Sequence, residues 1–149
     1  MKQKFIDYYM CVAELTSTLS YAKRLQVGSV IVKGNKILAT GYNGMPSGWD
    51  NECETTEIVE LDEKFVKQLV TKQEVLHSET NAIAKVSAST ESSEGAIMFC
   101  THAPCINCAK LIYQSGINSL YYRNTYRDTS GIEFLEKSGV SVTKYETQS

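Results

Sequence analysis

The sequence carries no surplus of basic residues. Its 15 Lys and Arg stand against 17 Asp and Glu, for a net charge of −2. Proteins that grip a nucleic-acid polymer usually gather excess cations on one face. DNA and RNA are therefore not the expected partners, whereas a small phosphorylated ligand needs only a few local donors. Long hydrophobic runs are missing too: none approaches the roughly 18 residues of a membrane span. The N-terminal stretch places Asp7 and Glu14 among its apolar residues, which does not suit a signal peptide. The expectation is a cytoplasmic protein with no membrane association. Internal repeats and low-complexity tracts are absent. Histidine is scarce, with only His77 and His102. The cysteines (Cys11, Cys53, Cys100, Cys105 and Cys108) are odd in number, which argues against a disulfide framework.

What is present is an ordinary globular mixture, 42% hydrophobic and 21% charged, in 149 residues. That length suits one domain spanning 1–149. Residues 3–20 read as a helix with Phe5, Tyr8, Tyr9, Val12, Leu15, Thr16 and Leu19 at helical spacing. Val27–Val32 reads as a strand, Gly34-Asn35 as a turn and Lys36–Thr40 as the hairpin partner. Gly41–Gly48 is a loop by its turn residues. Residues 62–72 read as a surface helix with Phe65, Leu69 and Val70 inward. His77 opens another helix through about Val86. Ala96–Cys100 is apolar enough to be a central strand. A helix over Pro104–Gln114 follows, ending at Gly116 as a left-handed cap. Ser119–Tyr122 is a strand, Ser130-x-x-Glu133 resembles a capping box for a helix ending at Gly139, and Val140–Tyr145 is the last strand. Strands alternating with helices in the second half predict a parallel sheet with helices on its faces.

Two short motifs carry the chemistry: His77-Ser78-Glu79 and Pro104-Cys105-Ile106-Asn107-Cys108. They supply one imidazole, two thiols and one carboxylate. Three protein ligands leave a position on zinc open, as a catalytic site needs and a structural site does not. Pro104 suits the first helical position, which would place Cys105 and Cys108 on one face of the first turn, where the dipole favours thiolates. Zinc brings the pKa of water toward neutrality, and Glu79 can take that proton and hand it to a departing amine. His-x-Glu followed by Pro-Cys-x-x-Cys is the known signature of zinc nucleobase deaminases. His102 lies too close to Cys105 to be an easy fourth ligand and reads as a loop residue shaping the pocket rim. Cys11 and Cys100 read as small buried apolar residues.

A monophosphate needs charge-assisted donors. Arg24, just before the first strand, and Tyr126 and Arg127, after the strand at 119–122, are the candidates. Asn43 is placed to bond a sugar hydroxyl or phosphate, and the Ser78 hydroxyl to touch a pyrimidine. Asn81 and Lys85, with Glu74, flank the motif helix. Their spacing suits an effector site or a merely exposed face.

The chain resembles the deoxycytidylate (dCMP) deaminase family of the cytidine deaminase superfamily. The resemblance rests on Gln26–Val32, Gly41-Tyr42-Asn43-Gly44-Met45-Pro46-Ser47-Gly48, His77–Ile83 and Thr101–Lys110. It covers most of residues 3–145. Ser78 departs from the Ala more frequent in the family. The resemblance implies a three-layer α/β/α sandwich with a mixed five-stranded sheet, and conversion of dCMP to dUMP for thymidylate synthesis. It further implies a homohexamer, activated by dCTP and inhibited by dTTP, each with Mg2+. The effector site then lies at a subunit interface and uses Tyr42, Asn43 and Gly44, with Asn81 and Lys85 beside them. Some members hold a second, structural zinc. Cys53 lies near where such a ligand would come from, but the expected additional His is missing. The alternatives are a zinc deaminase acting on cytidine, guanine, a riboflavin precursor or tRNA adenosine, and a non-catalytic zinc-stabilised binding module.

Overall fold

A computed structural model describes residues 1–147. The elements run α1 (Gln3–Ser17), β1 (Gly28–Lys33), β2 (Lys36–Tyr42), β3 (Glu54–Leu61), β4 (Lys64–Thr71), α2 (Ser78–Ser87), β5 (Ile97–His102), α3 (Ile106–Gln114), β6 (Ser119–Asn124), α4 (Ser130–Lys137) and β7 (Ser141–Lys144). Five strands form one mixed sheet in the order β2-β1-β5-β6-β7. The pairs β2–β1 and β1–β5 are antiparallel, while β5–β6 and β6–β7 are parallel across helical crossovers.

The strand β5 is central, as its unbroken apolar run predicts. β1 is covered on both faces as well, and alternation sorts its residues. Val30 and Val32 meet α1 through Tyr9, Met10 and Ala13. Ile31 faces the opposite layer with Ala82, Ile83 and Val86 of α2 and Ala109 and Ile112 of α3. The result is three layers, α1 on one face and α2, α3 and α4 on the other. The β1–β2 hairpin turns through Gly34 and Asn35, both left-handed at φ 56° and 59°, as its Gly-Asn pair predicts.

Several local expectations are corrected. Residues 62–72 form no helix. β4 pairs with β3 in a separate two-stranded hairpin, turning through Asp62 and Glu63 at φ 50° and 62°. Phe65 is 77% exposed there, where a helix would have turned it inward. The helix α1 stops at Ser17, and its inward residues are Ile6, Tyr9, Met10, Ala13 and Thr16, so Tyr8, Leu15 and Leu19 stay in solvent. Cys11 is exposed, not buried, whereas Cys100 is buried as expected. No capping box forms on α4. The backbone amide of Ser130 instead donates to Asp128 Oδ1 at 2.9 Å. Among the described residues, no helix is long and apolar enough to cross a membrane.

Candidate functional site

The site lies where the N-termini of α2 and α3 converge over the sheet. His77 is the N-cap of α2 and Cys105 the N-cap of α3. The helix α3 thus begins after Cys105, not at Pro104. Cys105 and Cys108 are still brought together, but from an extended residue and the first turn rather than from one helical face. His77 Nδ1 lies 3.2 Å from Cys108 Sγ and 3.6 Å from Cys105 Sγ. All three candidate ligand atoms fall within 4.8 Å of one another, and no further His, Cys, Asp or Glu among the described residues joins them. Two sulfurs and one imidazole nitrogen form a donor set that suits Zn2+.

Electrostatics separates the two thiols. Cys105 is held down to about 3, first by the hydrogen bond from the Cys108 thiol and then by His77. Cys108 is pushed well up, first because it gives its proton to Cys105, then by burial and by Glu79. His77 is raised, mainly by its hydrogen bond to Cys105. A dication suits this arrangement because it replaces protons that the sulfurs otherwise share. Glu79 belongs to the first turn of α2 and is buried. Burial raises its carboxyl above the usual range, partly opposed by its own backbone amide, then by the charge of His77 and by the Cys108 thiol.

His102 ends β5 rather than sitting in a loop, and its Nδ1 pairs with Thr101 Oγ1 at 2.9 Å. Thr101 Oγ1 also accepts the Gly28 amide at 3.1 Å, and Asn124 Nδ2 donates to the Thr101 carbonyl at 2.8 Å. Gly131 of α4 packs onto the Pro104–Cys105 backbone and the Ala103 amide donates to the Asn124 carbonyl at 2.9 Å, so both ends of loop 125–129 are tied next to Cys105. Tyr126 and Arg127 lie on that loop, both exposed. Arg24 faces the β3–β4 hairpin, its Nη1 donating to Thr71 Oγ1 at 3.1 Å.

One expectation about substrate contacts changes, and a second residue gains a structural duty. The Ser78 hydroxyl is not turned toward a pyrimidine. Ser78 is 1% exposed and its Oγ lies 2.7 Å from Ser29 Oγ, inside the protein. The Asn43 side chain is already used at both ends. Its Oδ1 accepts the Val27 amide and its Nδ2 donates to the Leu25 carbonyl, each at 2.8 Å, so it staples the segment before β1.

Tyr42, Asn43, Gly44, Asn81 and Lys85 all line one cavity of about 420 Å3, together with Tyr21 and Met45. The cavity is separate from the cluster: His77, Glu79, Cys105 and Cys108 do not line it. It is coupled to the cluster through the chain, because Gly44 and Leu76 exchange both backbone hydrogen bonds at 3.0 and 2.8 Å, one residue before His77. From α2, Asn81 Nδ2 donates to the Tyr42 carbonyl and Lys85 Nζ to the Thr40 carbonyl, each at 2.7 Å. Cys53 is buried beside Ala22, Val75 and Met45 and belongs to no metal-binding group among the described residues.

The motifs did not single out Ser29, Gly41 and Gly131, which pack against Ser78 and the Pro104–Cys105 backbone and so shape the site. A signal existed for Ser29: it is the one hydroxyl within the apolar run Val27–Val32.

The family model described as the cytidine and deoxycytidylate deaminase zinc-binding region matches residues 3–124. ComE operon protein 2 of Bacillus subtilis is 33% identical over 141 residues, covering 94% of this chain and 70% of that protein. Human deoxycytidylate deaminase is 33% identical over 148 residues, covering 93% of this chain and 78% of its own. Among solved structures, the dCMP deaminase of cyanophage S-TIM5 in complex with dCMP and dUMP is 44% identical with a TM-score of 0.86, covering 97% of this chain and 99% of its own.

Proposed function

The chain belongs to the cytidine and deoxycytidylate deaminase zinc-binding family, and from that membership we propose that it is a zinc-dependent hydrolase converting dCMP and water to dUMP and ammonia. One observation carries the reading: a His-Cys-Cys set with three ligand atoms lies beside the buried carboxyl of Glu79, in the first turn of the helix that His77 caps. His77, Cys105 and Cys108 would hold the metal. A Zn2+ ion bound by them would supply the acidity that turns water into a nucleophile near neutral pH.

Hydrolytic deamination needs a proton removed from water and protons delivered to the ring nitrogen and the leaving amine. Glu79 carries both transfers. Its carboxyl is buried in the first turn of α2, beside the proposed ligands, where it can carry a proton from one step to the next out of bulk water. The substrate assignment to dCMP is supported by the cyanophage relative with dCMP and dUMP bound. Arg24, Tyr126 and Arg127 are the proposed phosphate donors. Asn43 staples the segment before β1 and keeps a second amide N–H, with which it is the proposed donor to the sugar or phosphate.

Two further parts of this reading rest on the sequence itself: a single domain over 1–149, from its length, and a cytoplasmic address, from its composition. A homohexamer and a role in supplying dUMP for dTMP synthesis rest on the family resemblance. Activation by dCTP and inhibition by dTTP, each with Mg2+, belong with them. The cavity lined by Tyr42, Asn43, Gly44, Asn81 and Lys85 is the proposed effector site.

The deciding experiment is turnover by Glu79→Ala protein that retains one zinc per chain. The expected loss is on the order of 10²–10⁴-fold, as for removal of a general acid–base group. Full activity in that variant contradicts the mechanism. In the parent protein, dCMP should be strongly preferred to deoxycytidine, and equal turnover of the two contradicts the phosphate assignment. A panel including cytidine, guanine and tRNA adenosine, followed by ammonia release, separates the other deaminases.

A further inference from the structure

Ser78 stands between the candidate ligand and the candidate acid–base group, yet its side chain points into the sheet. Its hydroxyl is 2.7 Å from that of Ser29, and Ser29 Oγ in turn donates to Cys100 Sγ at 3.5 Å. Ser78, Ser29 and Cys100 are 1%, 0% and 0% exposed. A hydroxyl has one proton to give. If Ser29 donates to the sulfur, Ser78 must donate to Ser29, so the chain runs in one direction, from α2 into the sheet.

The partners of this chain lie in one row across three strands. Gly41 of β2 is registered opposite Ser29 of β1, and Ser29 opposite Cys100 of β5. Gly41 is part of the seat. A Cβ there would fall 2.2 Å from the Ser78 carbonyl oxygen and 2.7 Å from the Ala82 amide nitrogen, so only glycine lets the first turn of α2 settle this close. Backbone contact at Gly41 sets the height of the turn. The later turns of α2 are held by Asn81 and Lys85 on the Tyr42 and Thr40 carbonyls, so within the first turn, which aims His77 and Glu79, Ser78 supplies the side-chain contact to the sheet.

We propose that the Ser29–Ser78 hydroxyl pair is a latch that fixes the rotation of the first turn of α2, and that both residues are positioning residues for Glu79 in the deamination reaction. The inference rests on the deaminase reading. Removing one hydroxyl leaves the other buried without its partner, which is costly. The turn then rotates to find the survivor a new contact, and the carboxyl moves with it. Removing both leaves two small apolar side chains and no unpaired hydroxyl, at the cost only of the weak Ser29–Cys100 contact. The two positions therefore act as a unit.

The test compares Ser29→Ala, Ser78→Ala and the double variant in zinc-loaded protein. Each single change should lower kcat for dCMP roughly tenfold, about 1.4 kcal/mol in the barrier, with KM within about twofold and one zinc per chain retained. The double variant should lose no more than the worse single one. Losses that multiply in the double variant, or single variants with kcat within twofold of the parent, overturn the latch. A parent inert toward dCMP overturns the deaminase reading instead. The latch is then judged on protein loaded with Co2+ in place of zinc. The visible spectrum should change in each single variant and return toward that of the parent in the double, and unchanged spectra throughout overturn it.

Discussion

Gly131 rests on the carbonyl oxygen of Pro104: a Cβ added there would lie 2.2 Å from that oxygen and 2.9 Å from the Cys105 carbonyl. The contact joins α4 to the residue that caps α3 and supplies one of the proposed zinc ligands.

Gly131→Ala tests that contact. In an exposed helix the change would gain up to about 1 kcal/mol from propensity. Here it forces two backbones apart, and overpacking of this kind typically costs about 1–3 kcal/mol. The clash should win, lowering the urea midpoint. The zinc concentration for half-loading should rise roughly tenfold or more, as when a residue supporting a ligand is lost. A variant more stable than the parent with unchanged zinc loading would show that α4 does not constrain the cluster.

Zinc uptake should depend on pH. Without metal, Cys108 and His77 both have raised pKa values, so both hold protons more tightly than in a model peptide. Cys105 is already a thiolate near neutrality. Binding must displace the Cys108 proton and part of that on His77. Affinity should therefore rise between pH 6 and pH 8. Calorimetry in buffers of different ionisation enthalpy should report at least one proton released per zinc. No proton release would mean that the metal enters elsewhere.

Glu79→Gln should trade activity for stability. In the folded, metal-free protein burial raises the Glu79 pKa. A raised acid contributes its stability below the unfolded pKa and loses it as pH rises through the folded value. Gln remains neutral at every pH and escapes that loss. After chelation the variant should melt higher than the parent at pH 7, with the difference shrinking toward pH 5. The opposite trend would place Glu79 in a polar, ion-paired setting.

Phe65→Ser should change stability by no more than about 0.5 kcal/mol in chemical denaturation, because the side chain is 77% exposed on β4. A loss of several kcal/mol would restore an inward-facing Phe65.

The sequence reveals the zinc cluster because each motif is a short local unit whose spacing is meaningful without the rest of the chain. β1 and β5 are legible for a related reason: being covered on both faces makes them apolar throughout. The β3–β4 hairpin is not, and its own residues explain why. Phe65, Leu69 and Val70 fall at helical spacing by coincidence, and the turn uses Asp62-Glu63 where Asn-Gly or Asp-Gly would announce it. The direction of the Ser78 side chain was equally hidden. It depends on Ser29, 49 positions away in sequence, and on the strand register that sets Gly41 opposite Ser29. The outer face of α1 misleads because Tyr8 and Leu15, with Leu19 just past its end, continue the apolar period into solvent.

The most direct measurement is stoichiometric reconstitution. Protein stripped by a chelator is titrated with Zn2+ while dCMP loss, dUMP formation and ammonia are followed together. The account predicts activity that rises in proportion to zinc and levels off at one ion per chain, with equal amounts of dUMP and ammonia. Intact dCMP at one zinc per chain would contradict it.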